Sequence, residues 1–142
     1  MRKTGRQLDR EIADHQEREQ LKKRVQRLID KWEPILGVHL SDFRIKKMRA
    51  FATFNARDDR LWVSQSLATM SPADLEYVIV HELVHLLVAD RARADGGDPT
   101  VGSGHDPRFY ALMDHFLPSW RRRHMRLRSG EGVVARGLPG MG

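Results

Sequence analysis

Two histidines and a glutamate stand together in the middle of the chain, in the run His81-Glu82-Leu83-Val84-His85. On a helix, residues four apart project from one face, so His81 and His85 can offer imidazole nitrogens to a single ion. Glu82 is turned about 100° from His81, beside that face. This is a poor position for ligating the same ion but a good one for taking a proton from a water molecule. Two imidazole ligands and a neighbouring carboxylate base are the components of zinc-dependent hydrolysis. Shuffling a chain of this composition would produce the string about 2% of the time, so its weight comes from its setting.

That setting is a helix. Ser71 is a good N-cap, Pro72 suits the first helical position and Asp74 places an acid at the third. The helix is expected to run to about Ala89. Leu75, Val78, Ile79, Leu83, Val84, Leu86, Leu87 and Val88 point in nearly every direction around it, and a helix apolar all round is a buried one. Burying a carboxylate and two imidazoles is costly unless something compensates, and a bound cation would do so.

Zinc takes a third protein ligand and leaves one position open for water. His105 is the favoured third ligand. It follows a glycine-containing loop that can turn the chain back, and it directly precedes Asp106-Pro107, a second cap-plus-proline start that opens a helix to about Leu117. His115 and His124 are weaker candidates, and Asp114 is the acidic alternative. His15 and His39, in the segments before the motif, read as surface residues.

The remaining segments must hold this site. Residues 6–33 read as one helix: Leu21, Val25, Leu28, Ile29 and Trp32 share a face, and Pro34 and Gly37 stop it. Its first half has only Leu8, Ile12 and Ala13 to bury. From Val38 the period changes. Phe43 and Ile45 alternate with Arg44 and Lys46, and two β-prone runs, Phe51–Phe54 and Leu61–Val63, flank the polar turn at 55–59. This predicts a strand followed by a hairpin in one antiparallel sheet. Residues 90–104 read as a loop, either a lid or a plain connector. Residues 120–128 carry five arginines after Pro118. The expected organisation is a single domain over 1–128 and a glycine-rich, disordered tail over 129–142. The fold class is α+β: a small antiparallel sheet against the helix carrying the motif, with flanking helices.

A chain of 142 residues, 40% hydrophobic and 31% charged, fits one such domain. It has no cysteine, which excludes disulfides, thiol catalysis and every thiolate metal site. The N-terminal stretch alternates charges and has no apolar core, unlike a secretory signal, and no window approaches a membrane span. A soluble, cytoplasmic protein is the expectation. The net charge of +6 and a sequence pI near 10.2 favour polyanionic partners. Basic residues cluster at Lys22, Lys23, Arg24 and Arg27, at Arg44, Lys46, Lys47 and Arg49, and at Arg121, Arg122, Arg123, Arg126 and Arg128. Such clusters can neutralise nucleic-acid phosphates, although acids are mixed through the first.

Three motifs in order, Tyr77-Val-Ile-Val-His-Glu-Leu-Val-His-Leu-Leu87, Gly104-His-Asp-Pro-Arg-Phe-Tyr110 and Leu117-Pro-Ser-Trp-Arg-Arg-Arg123, resemble the YgjP-like (DUF45) metallopeptidases. These are zincins related to the M48 and SprT-like groups. The resemblance covers roughly residues 43–128. It implies a zincin-like fold, Zn2+ held by His81, His85 and His105, and Glu82 as general base. Two departures stand out. Met48–Thr53 replaces the family's usual Trp-Gly-Ser-Cys-like run, and the segment Leu86–Gly104 is longer than the usual connection between the second and third ligands. The longer segment and Gly104–Pro107 are also similar to SprT-like proteases, which cleave proteins on DNA. Their zinc-ribbon companion has no counterpart in a chain without cysteine.

The expected activity is therefore hydrolysis of a protein or peptide substrate through a zinc-activated water, with Glu82 as base. Arg108 and Tyr110 are candidates for assisting the oxyanion, and the strand Leu61–Ser64 is the expected edge along which an extended substrate could add. The alternatives are a DNA-associated protease recruited by the basic clusters and a zinc-binding adaptor without catalysis.

Overall fold

The computed structural model describes residues 2–100 and 104–128, so the glycine-rich tail expected over 129–142 lies outside the described residues. Helix α1 spans Gly5–Leu36. Thr4-Gly-Arg-Gln7 forms a capping box: the Gln7 amide donates to Thr4 Oγ1 at 3.1 Å, and the Thr4 amide donates to Gln7 Oε1 at 2.7 Å. Pro34 was expected to help end this helix, yet it lies inside it. Two residues from the end, a proline removes one backbone bond, while Leu36 still gains burial in the core. The stop is Gly37, in the left-handed region at φ 70°, whose amide returns to the Glu33 carbonyl. Leu21, Val25, Ile29, Trp32 and Leu36 form the buried stripe. Leu8 and Ile12 are exposed, so the first turns of α1 stay helical without apolar cover.

Strands β1 (Asp42–Lys46), β2 (Ala52–Asn55) and β3 (Arg60–Ser64) make one sheet in the order β1-β3-β2. The β2–β3 hairpin is present, with Phe54 opposite Leu61. β1, however, pairs parallel with β3, so the sheet is mixed rather than antiparallel. The whole of β2 and its flanking segments serves as the long connection a parallel pair requires. A further correction follows: β3 is the central strand, so Leu61–Ser64 has no free edge for a substrate. The edges are β1 and β2.

Alternation divides the sheet into two faces. Phe43, Ile45, Ala52, Phe54, Leu61 and Val63 join the helical core. Arg44, Lys46, Thr53, Arg60 and Trp62 occupy the opposite face.

A short 3₁₀ turn, Gln65–Thr69, leads to α2, Pro72–Ala94. As expected, Ser71 caps it, accepting from the Asp74 amide at 3.3 Å. It runs five residues past Ala89 because no breaker intervenes before Gly96, and Arg91 and Arg93 complement its C-terminal dipole. Nearly every residue from Leu75 to Ala89 is buried, Glu76 excepted. Glu76 instead ties α2 to α1, accepting from Trp32 Nε1 at 2.9 Å and from Lys31 Nζ at 2.7 Å. Helices α3 (Pro107–Phe116) and α4 (Trp120–Arg128) pack against α2, and Arg126 of α4 pairs with the buried Asp74. No described helix is long and apolar enough to cross a membrane.

Candidate metal centre

The sequence of α2 buries its polar residues in the middle of the molecule. His81, Glu82 and His85 are 3%, 1% and 6% exposed. The third corner comes from a different element. Asp106 accepts from the Phe109 amide at 2.9 Å, which sets the first turn of α3, and His105 precedes that cap. His105 is exposed at its outer side, yet its Nε2 lies 3.1 Å from His81 Nε2. One ring nitrogen from each of His81, His85 and His105 can be chosen so that all three lie within 4.8 Å of one another.

Phe109 completes the arrangement and was assigned no role from the sequence. It is 1% exposed and stacks on His85 at 4.5 Å between ring centroids, with His105 at 4.8 Å and His81 at 5.0 Å. Its signal was there to read: it sits four residues after His105, on the same side of the α3 start. Tyr77, one turn before His81, adds a ring 5.9 Å from it. The Tyr77 hydroxyl meets His124 Nδ1 at 2.8 Å. Burial, then the charge of Glu82 and the neighbouring Tyr110, push that hydroxyl well above its ordinary range. Burial, with the charges of Arg128 and His105, lowers His124.

Glu82 shares none of these contacts. Among the described residues neither of its carboxylate oxygens has a hydrogen-bond partner. Burial pushes its carboxyl well above the ordinary carboxylate range. A buried, unpartnered carboxylate beside three converging imidazoles is costly in a purely structural role. The same group is stabilised when a cation sits nearby, so the donor set fits a metal ion.

The other sequence candidates lie elsewhere. His124 is beside the triad, but its Nδ1 is engaged by Tyr77. His115 is exposed on α3 against Phe116. Asp114 accepts from Trp120 Nε1 at 2.8 Å, and that bond holds its carboxyl below the usual range. His15 is exposed, and His39 is exposed beside Glu33. Arg108 is exposed. Tyr110 lies 6.3 Å from the His105 ring and stacks on Trp120, with Arg121 above both rings. Of the basic clusters, Arg24 is consumed by the carbonyls of Ala68 and Met70, Arg44 by Asp42, and Lys47 reaches Asp14.

A cleft of about 450 Å³ opens beside His85, bordered by Thr53, Asn55 and Trp62 of the sheet, by Arg57 of the β2–β3 turn, by Val88, and by Pro99 and Thr100. Arg93, at the end of α2, fixes this wall. It bonds to both carboxylate oxygens of Asp59, at 3.3 and 2.9 Å, and to the Ala56 carbonyl, holding the β2–β3 turn.

Comparison with known families and structures bears on this geometry. The model of the YgjP-like metallopeptidase domain matches residues 2–93. The match takes in α1, the sheet and all three motif residues of α2; it ends before His105, and so covers less of the C-terminal part than the 43–128 suggested by the motifs. A solved structure, the metallopeptidase zymogen abylysin of Pyrococcus abyssi, superposes with a TM-score of 0.59. It is 18% identical, with 75% of this chain and 93% of that one covered, and so bears on the fold. No curated protein matches the chain.

Proposed function

This chain belongs to the YgjP-like metallopeptidase family, and from that premise we propose that it is a zinc-dependent peptidase with Glu82 as general base. The observation carrying the proposal is the convergence of three imidazoles beside a buried carboxylate that has no hydrogen-bond partner among the described residues. His81, His85 and His105 would hold the ion. Three neutral nitrogen donors suit zinc. When bound, zinc lowers the pKa of water to about 7 and polarises a carbonyl oxygen.

The chain's own residues do the rest. Glu82 takes the proton from the attacking water and delivers it to the departing amine, so the leaving group departs neutral. Phe109 and Tyr77 keep the imidazoles oriented. An extended substrate pairs with the free edge of β2, which borders the cleft that His85 also lines.

Metal analysis of the purified chain tests the ligand set. The expected result is one zinc per chain, casein cleavage that stops with chelator and returns with zinc, and loss of zinc in His105→Ala. Unchanged zinc content in that variant would remove His105 from the set. A second reading, recruitment to nucleic acid, is supported by α4, where Arg122, Arg123 and Arg128 form no ion pair with a described carboxylate. Its mark would be oligonucleotide affinity that falls steeply with salt.

A further inference from the structure

The outer face of the sheet is not used by the reaction as derived, yet it continues into the cleft. Trp62 and Thr53 face each other across the β2–β3 pair and both line the cleft that contains His85. Lys46 Nζ lies 4.2 Å from the centroid of the Trp62 ring, and the Arg60 guanidinium lies 6.0 Å away. Arg57, from the turn, is exposed along the same wall. The acid on this face is Asp42, which is occupied by Arg44 at 2.9 Å and Arg60 at 3.4 Å. Among the described residues no carboxylate lies within ion-pair distance of Lys46 or Arg57; Asp98 acts on Arg57 only at longer range. The outer face therefore presents Arg57 at the cleft and Lys46 over the Trp62 ring, neither in an ion pair with a described carboxylate, next to an open strand edge.

Resting on the peptidase reading above, the geometry points to a specificity subsite for acidic side chains, built from Lys46, Arg57 and Trp62. The strand period supplies the reason. A peptide added to β2 alternates its side chains between the two faces, so every second one falls on the side of Thr53 and Trp62. A carboxylate there falls between Arg57, which borders the cleft, and Lys46, which reaches over the Trp62 indole from the β1 side. The occupant is a peptide rather than a nucleic acid. A stacking base would have to displace Lys46 from the Trp62 ring, whereas the free β2 edge offers backbone donors and acceptors that match a peptide. An aromatic substrate side chain meets the same obstacle at Trp62.

The test separates binding from turnover. Fluorescein-labelled short peptides alternating threonine with glutamate, glutamine or lysine are titrated by anisotropy against the zinc-loaded full chain carrying Glu82→Gln, which prevents cleavage. The glutamate peptide is expected to bind about tenfold more tightly than the glutamine peptide, as two partly exposed ion pairs allow. The lysine peptide should bind weakest, and the preference should shrink as salt rises. Adding Lys46→Gln and Arg57→Gln should bring the three peptides to within about twofold of one another. Equal affinities at the outset, or a glutamate preference that survives both substitutions, would overturn the subsite. So would an oligothymidylate that binds more tightly than the glutamate peptide and is lost in the same double variant, because that result assigns the face to nucleic acid. Cleavage by the unsubstituted protein is scored separately: preferential binding without any cleavage counts against the peptidase reading and leaves the subsite standing.

Discussion

The candidate centre is assembled from two halves that differ in almost every physical respect. The α2 half carries His81, Glu82 and His85 inside an apolar helix, tied to α1 through Glu76 and to α4 through the buried Asp74. The α3 half carries His105 at the mouth of a loop, exposed, and positioned by the Asp106 cap and by Phe109. The α2 half cannot move without unpacking the core. The α3 half depends on a few local contacts. Under the proposed function, the difference divides the labour: α2 would set the direction of the chemistry and α3 would govern how tightly an ion is held. It also parallels the extent of the family match, which covers α2 through Arg93 and stops before His105.

The largest expected effect lies in the α2 half. Glu82→Gln keeps shape and removes the proposed base, so kcat should fall by about 10²–10⁴-fold. Zinc content should stay at one per chain, since the proposed ligand set does not include Glu82. Stability should hold or rise, because an amide is less costly to bury than a carboxylate. A variant that keeps full kcat would overturn the base assignment, and one that loses zinc would mean that the two halves are not separable in this way.

Next comes the residue that joins the halves. Phe109 is buried beneath all three imidazoles, so Phe109→Ala should cost about 3–5 kcal/mol of stability in chemical denaturation. Zinc affinity should fall with it, because the cavity frees the His105 end more than the α2 end. A stability loss with unchanged zinc affinity would show that Phe109 supports the core alone.

How much of this was legible beforehand differs between the halves in the same way. The motif in α2, its Ser71-Pro72 start and the Asp106-Pro107 start of α3 are local signals carried by adjacent residues, and each appears where the spacing predicts. Pairings across the fold are not local. The alternation of Phe43 and Ile45 tells which face is buried but not which strand lies alongside, so the parallel β1–β3 pairing and the central place of β3 could not be read from it. Pro34 misled because its cost depends on how close it lies to the helix end, and that end is set by Leu36 finding the core. Phe109 carried helical spacing from His105, but its contact with His81 and His85 needs the fold. Lys46 and Trp62 are adjacent only through the parallel pairing, so the basic-aromatic wall was invisible as well.

The smallest expected effects give the sharpest version of the comparison, because the two halves begin with the same local device. Ser71 caps α2 and Asp106 caps α3, each followed by proline. Ser71→Ala and Asp106→Ala should each cost about 1 kcal/mol, the usual loss for an N-cap. Their consequences for the ion should differ. Ser71 stands three turns from His81 along a helix whose position is set by its buried surface, so the lost cap is absorbed at the end of α2 and zinc affinity should not change. Asp106 is adjacent to His105, and its bond to the Phe109 amide sets both the first turn of α3 and the ring beneath the triad. Asp106→Ala should therefore weaken zinc by about 10–100-fold, the range typical when a residue that orients a ligand is lost. Competition with a chromogenic chelator measures both variants under one condition. Equal zinc affinities would mean that His105 is held by its packing against Phe109 rather than by the cap, and the α3 half would then be as firmly built as the α2 half.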